Sequence, residues 1–290
     1  MEIIRKVHEL QQTTTNLKRN KQTIGFVATM GYLHEGHTAL MLAAKRENDV
    51  LVASIFVNPL QFGPTEDFAS YPRDEERDIA IAEKAGVHIL FIPSAEEMYP
   101  KQLMIEMKMT DRVNVLCGRS RTGHFDGVIT VLSKLFHIVQ PERTYFGLKD
   151  AQQVAVVDGL ITNHNFPIEL IGIPTVRETD GLAKSSRNIR LLANEREEAK
   201  WLYQALQNGQ KVIVDGESNP AMIVKEVKAT IETKVSGKID YIELLSYPEL
   251  QAISNIGGQL ILAVAVQFEN ARLIDNFIID SNGDIIKQYN

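Results

Sequence analysis

Val50-Leu51-Val52-Ala53-Ser54-Ile55-Phe56-Val57 is apolar throughout except for one serine. A strand with one face in water alternates apolar and polar residues, so an unbroken run belongs to a strand covered on both faces. Such strands occur in parallel sheets sandwiched between helices. The chain up to residue 174 keeps to that pattern. Short apolar runs at 24–28, 87–92, 143–147 and 168–173 read as strands, each stopped by glycine, proline or a polar cluster. Helical spacing fills the intervals at 38–47, 73–85 and 150–163, and again where Val128, Leu132, Leu135 and Val139 form a stripe. Ile3, Val7, Leu10 and Leu17 predict an amphipathic helix at the start. Residues 95–119 are expected to be irregular, with one short strand at 104–107. The prediction is an α/β fold, a parallel sheet with right-handed crossovers and ligands at the strands' carboxyl ends.

From residue 194 the pattern changes. Asn194 with Glu197 reads as a capped helix start and Gly209 as its end. Asn219-Pro220 opens a second helix. Strands follow directly at 239–245, 259–268 and 272–279, the last two joined by a Glu269-Asn270-Ala271 turn. Helices followed by adjacent antiparallel strands predict a smaller C-terminal α+β domain. The expected division is residues 1–176 and residues 177–290, with the polar run Arg177-Glu178-Thr179-Asp180-Gly181 as linker.

A net charge of −6 argues against nucleic acid as a partner, since such affinity rests on a basic surface. No apolar stretch reaches the ~20 residues of a membrane span, and the first eight residues lack a secretory signal's apolar core. Cys117 is the single cysteine, so a reducing, cytoplasmic setting is expected and the thiol reads as packing.

The polar motifs fall at the expected carboxyl ends. After the first buried strand comes Met30-Gly31-Tyr32-Leu33-His34-Glu35-Gly36-His37. Two histidines three apart would share a face over a helix start, whose unpaired N–H groups suit a phosphate. Gly36 would leave room for the ligand. Asn58 and Gln61 follow the 50–57 strand, and Gly147-Leu148-Lys149-Asp150 with Gln153 follows the 143–147 strand. Lys184-Ser185-Ser186-Arg187 sets two cations and two hydroxyls in one loop, which is either a solvated loop or a phosphate clamp. Arg119, Arg121, His124 and Asp126 stand before a helix, for anion binding or for solubility. Together these groups suit phosphoryl or nucleotidyl chemistry, which runs on positioning and charge neutralisation.

Thr29 to His37, Phe56-Val57-Asn58-Pro59-Leu60-Gln61-Phe62, Tyr71-Pro72-Arg73, Gly123-His124-Phe125-Asp126-Gly127, Phe146 to Asp150 with Gln152-Gln153, and Asp180 to Ala183 with Ser185 to Asn188 stand in the order of one family's blocks. Over nearly its whole length the chain resembles the pantothenate synthetases (pantoate–β-alanine ligases). The resemblance implies a Rossmann-like sheet with a small carboxyl-terminal domain closing over the site, and ATP-dependent joining of (R)-pantoate to β-alanine with magnesium, through a pantoyl adenylate, usually in a homodimer. It implies that Met30, Gly31, Tyr32, Leu33, His34, Glu35, Gly36 and His37 line the ATP site, together with Gly147, Leu148, Lys149, Asp150 and Val176. Lys184, Ser185, Ser186 and Arg187 would complete that site. His37, His34 and Lys149 would be catalytic, and Gln61, Gln153, Asn58 and Arg121 would meet the other substrates. Asp150 is the candidate protein-side contact for magnesium or for the ribose. Lys184 and Leu148 depart from the family pattern, which usually has Leu or Met, and Glu or Gln, at those positions. A nucleotidyltransferase built on the same histidine motif is the rival reading, distinguished by its products.

Overall fold

The computed structural model describes residues 1–64 and 68–286. Its larger part follows the expected alternation: β1 (Glu2–Ile4), α1 (Val7–Arg19), β2 (Ile24–Thr29), α2 (Glu35–Glu47), β3 (Val50–Ile55), α3 (Glu75–Lys84) and β4 (Ile89–Phe91). The short helices α4 (Ala95–Met98) and α5 (Leu116–Ser120) follow, then α6 (His124–Val139), β5 (Arg143–Gly147), α7 (Ala151–Asn163) and β6 (Glu169–Ile173). The six strands form one parallel sheet in the order β1-β4-β3-β2-β5-β6. Helices cover both faces, and Phe26, Val27, Leu51, Val52 and Leu90 are fully buried as the continuous apolar runs require.

The strand order reverses at β2. From there the chain winds outward through β3 and β4, then returns to lay β5 on the other side of β2. β2 pairs with β3 over its whole length, from Ile24↔Val50 to Thr29↔Ile55. With β5 it shares only Gly25↔Arg143 and Phe26↔Thr144. The two strands therefore part toward their carboxyl ends and open a crevice at the point where open α/β sheets bind ligands.

The remainder comprises α8 (Ala193–Val214), α9 (Pro220–Lys234) and the antiparallel sheet β7 (Lys238–Ser246), β8 (Leu260–Gln267) and β9 (Arg272–Ile279), in that order across the sheet. β8 is central and apolar on both sides. Its Leu260, Leu262, Val264 and Val266 pack with α8 and α9, while Ile261, Ala263 and Ala265 join the main core. Between β6 and α8 the chain makes a tight excursion: Lys184 N–H donates to Val176 O and Glu178 N–H to Leu182 O. Arg177 roots it by a bidentate pair to Asp275 on β9, at 2.6 and 2.9 Å, stacked 4.2 Å from the Tyr203 ring.

Several sequence expectations are corrected. Ile3 lies in an edge strand paired with β4 rather than in the first helix. No strand forms at 104–107, where Met104 and Ile105 are exposed. Glu195, not Glu197, closes the start of α8 by accepting from Leu192 N–H. α8 also runs through Gly209, and an added Cβ there would stand 2.5 Å from Val227 and 2.8 Å from Leu262. That glycine serves close packing rather than a helix end.

Asp275 is 3% exposed, so removing its cation strands a buried carboxylate. Arg177→Met should lower unfolding stability by roughly 3–5 kcal/mol in urea titration, and adding Asp275→Leu should restore much of it. Wild-type stability in the single variant would contradict the assignment.

Candidate active site

The turn after β2 is built by side chains that accept backbone N–H groups. Thr29 Oγ1 donates to Ser54 O at 2.7 Å and accepts from Gly31 N–H. Gly31 and Tyr32 both take left-handed conformations, with φ of 83° and 50°. For tyrosine that geometry is uncommon. Asp78 of α3 holds it there, accepting from Tyr32 N–H and Leu33 N–H at 2.7 Å each. Asp78 is 1% exposed, and burial raises its pKa against the lowering effect of those two bonds. Sequence reasoning missed this carboxylate, which sits in an otherwise ordinary charged helix.

α2 begins three residues earlier than the sequence suggests, so His34 is its N-cap and His37 its third residue. Gly36 N–H donates to His34 Nδ1 at 3.1 Å, and His34 N–H donates to His37 Nδ1 at 3.2 Å. The imidazoles replace the oxygens of an ordinary capping box. An amide N–H can only donate, so both Nδ1 atoms are unprotonated and both Nε2 atoms carry the hydrogen. The ring centroids lie 4.1 Å apart. Burial and the Lys149 charge lower His34 to about 4, and burial, His34 and Lys149 lower His37 to about 3. Two neutral N–H donors thus stand beside a cation. Gly36 turns out to accommodate His34: an added Cβ would lie 2.8 Å from its Cε1.

Across the crevice, Lys149 and Asp150 sit in the 3-10 turn between β5 and α7. The Leu148 side chain is buried in the main core, while Gly147 faces open space. A cleft of about 830 Å³ runs from here to the small sheet, with Arg121, Lys149, Asp150, Gln153, Ser185 and Arg187 on its walls. Met30, His34, His37, Gln61 and Val176 do not line it. The pull of Lys149 on both histidines ties the two regions together. Lys184 Nζ reaches Glu35 Oε1 at 3.4 Å, joining the serine-arginine loop to the start of α2. Ser185 Oγ accepts from Arg187 N–H at 3.2 Å within that loop, and Ser186 is half-buried beside it.

Asn58 and Gln61 follow β3. Asn58 is 1% exposed and satisfied within the protein. Its amide donates to Gln61 Oε1 and Gly127 O, and its oxygen accepts from Leu60 N–H and the Tyr99 hydroxyl. It was expected to face a substrate, but the geometry makes it a support for Gln61. Gln61 Nε2 points at Met30 Sδ, 3.2 Å away, which is a weak acceptor that a better one could displace. His124 fixes the same residue from behind. Arg121 Nη1 donates to His124 Nε2, so its Nδ1–H donates to Gln61 O at 2.7 Å. Gln152 and Gln153 both line the cleft, and Gln152 spends its side-chain nitrogen on the carbonyls of Arg112 and Val115.

No group of three His, Cys, Asp or Glu residues that could hold a metal occurs among the described residues. Asp150, half-exposed at the cleft beside Lys149, is a single carboxylate. That suits magnesium, which is commonly held by one or two carboxylates and by substrate phosphates.

The family model described as pantoate-beta-alanine ligase matches residues 2–278. Pantothenate synthetase of Geobacillus sp. (strain WCH70) is 57% identical over 280 residues, covering 97% of this chain and 99% of its own. That of Bacillus subtilis (strain 168) is 56% identical, covering 97% and 98%. The crystal structure of pantothenate synthetase from Thermus thermophilus superposes with a TM-score of 0.90 at 43% identity, over 95% of this chain and 98% of that one. The pantoate-beta-alanine ligase from Francisella tularensis, complexed with beta-gamma ATP and beta-alanine, gives 0.78 at 34% identity, over 96% and 97%.

The histidine geometry has a measurable consequence. Folding lowers both pKa values, so the unfolded chain binds the additional protons. The stability from the neutral rings is complete above the unfolded value of 6.5 and is lost as pH falls toward about 4 and about 3. Nitrogen NMR should find both rings as neutral Nε2–H tautomers, unchanged between about pH 8 and pH 5. Titration of either ring near its ordinary value would contradict the capping assignment.

Proposed function

Because the chain belongs to the pantoate–β-alanine ligase family, we propose that it performs this ATP-dependent ligation in two steps through a pantoyl adenylate. A free carboxylate is a poor acyl donor. Its oxygen attacks the α-phosphorus of ATP, the bond to the β-phosphate oxygen breaks, and pyrophosphate leaves. The β-alanine amine then attacks the acyl carbon, an amide forms, and AMP departs with the shared oxygen. The observation that carries this reading is a pair of neutral imidazole donors at the start of α2, within electrostatic reach of Lys149 on the turn after β5.

In this reading His34 and His37 donate from Nε2 to phosphate oxygens whose charge grows in the transition state. Lys149, Ser185, Ser186 and Arg187 would neutralise the remaining charge, and Met30 to His37, Gly147 to Asp150 and Val176 would frame the nucleotide. Gln61 and Gln153 would hold pantoate, with Asn58 and His124 keeping Gln61 aimed. Arg121 would stand near the second substrate. Asp150 would hold magnesium together with the phosphates, and the ion would supply charge neutralisation there. Residues 1–176 would bind nucleotide and pantoate, and residues 177–290 would close over them. The last four residues of the second span lie outside the described residues. A cytoplasmic homodimer is the expected form of the enzyme. No described helix is long and apolar enough to cross a membrane.

Incubation with ATP, magnesium, pantoate and β-alanine should yield AMP and pyrophosphate only when both organic substrates are present. A nucleotide retained on the product would favour a nucleotidyltransferase instead. His34→Ala or Lys149→Ala should slow turnover by about 100-fold or more, the scale of one lost transition-state donor; near-normal rates would remove those roles. Lys184→Leu breaks the link to Glu35, and its main effect should be on the ATP KM. An unchanged KM would show that the lysine plays no part in nucleotide binding.

A further inference from the structure

Asn276 lies in the middle of β9 and is 8% exposed. Its side-chain nitrogen donates to Leu148 O at 3.1 Å and to Lys149 O at 2.8 Å. Two carbonyls can be met only by the amide nitrogen, whose two hydrogens serve one each. Both carbonyls belong to the 3-10 turn that carries Lys149. On the same side of the small sheet the Tyr247 hydroxyl donates to Ala151 O at 3.2 Å, at the end of that turn. A strand from the C-terminal sheet thus grips the backbone beneath the cation that faces both histidines.

The neighbouring residue does the complementary task. Successive side chains of a strand point to opposite faces. Ile274, Asn276 and Ile278 face the parallel-sheet part, while Leu273, Asp275 and Phe277 face the α8 side. Asp275 there holds Arg177, at the root of the excursion that leads to Lys184, Ser185 and Arg187. One dipeptide therefore ties the Lys149 turn and the excursion leading to Lys184, Ser185 and Arg187 to the same strand.

We propose that Asn276 is a positioning residue of the ligase, setting the Lys149 ammonium to neutralise the charge of the pyrophosphate that departs in the first step. The proposal rests on the two-step reading above. Lys149 on its turn is one side chain of a surface-reaching segment, with Gly147 before it facing open space. Fixing both carbonyls removes the freedom of the turn to rotate, and a displacement of about 1 Å at such a group can cost as much as 100-fold in rate. The effect is confined to the first step, because aminolysis of the adenylate leaves the departing pyrophosphate charge behind.

The test uses full-length Asn276→Asp, which keeps the shape but puts an oxygen against the two carbonyls, and Asn276→Ser, which is too short to reach them. Pantoate-dependent exchange of pyrophosphate into ATP should fall roughly 10- to 100-fold, with the KM for ATP and for pantoate little changed. Conversion of supplied pantoyl adenylate and β-alanine should stay near the wild-type rate. In a Lys149→Ala background the same substitutions should cost little more, since both act through one group. If one variant does not fold, the other carries the test. Wild-type exchange, equal losses in both half-reactions, or additivity with Lys149→Ala would overturn the proposal. A wild-type enzyme that forms AMP without any pantoate-dependent exchange would overturn it along with the two-step reading, whereas the variant results alone bear only on Asn276.

Discussion

β2 and β5 lie side by side yet share only two residue pairs before they part, and the polar architecture of the site follows from that separation. A parallel sheet wound outward in two directions leaves such a gap between the strands where winding reverses. The turns leaving both strands must find hydrogen-bond partners other than each other. The β2 turn finds Thr29 and Asp78 for its amides and then enters α2 through two imidazoles. The β5 turn gives its carbonyls to Asn276 from the second sheet. The crevice is thus lined on one side by groups with donors to spare and on the other by a lysine, an arrangement suited to an anion.

Electrostatics and burial act together at this place. An exposed histidine would be partly charged at neutral pH and would exchange tautomers. Here backbone amides occupy both Nδ1 atoms, and burial with a nearby cation removes the charge. The result is a pair of fixed neutral donors, which in the proposed reaction would need no reorganisation as charge develops on a phosphoryl group. Burial and charge pairing also fix the more distant supports. Asp275 with Arg177 and Asp78 with two amides are buried carboxylates that would be costly without their partners.

Much of this was legible from residues. Unbroken apolar runs pointed to the parallel sheet, and the expected strands at 143–147 and 272–279 coincide with β5 and β9. The family blocks located Lys149, Gln153, Ser185 and Arg187, which line one cleft. What stayed hidden depends on partners far away in the chain. Ile3 is a strand residue only because β4 offers an edge to a three-residue segment, too short for any period to register. Gly209 reads as a helix end until α9 and β8 are seen against it. Asp78 and Asn276 are single polar residues within ordinary helical and strand patterns, and only the fold brings them to the turns they hold. The cap formed by His34 was disguised because histidine is not a usual capping residue.

The two-step reaction proposed above requires attack of a carboxylate oxygen of pantoate on the α-phosphorus of ATP. Pantoate labelled with oxygen-18 in its carboxylate follows that oxygen through the reaction. Mass spectrometry of the products should find one labelled oxygen in AMP for each pantothenate formed, and none in pyrophosphate. Unlabelled AMP, or label appearing in pyrophosphate, would contradict that attack.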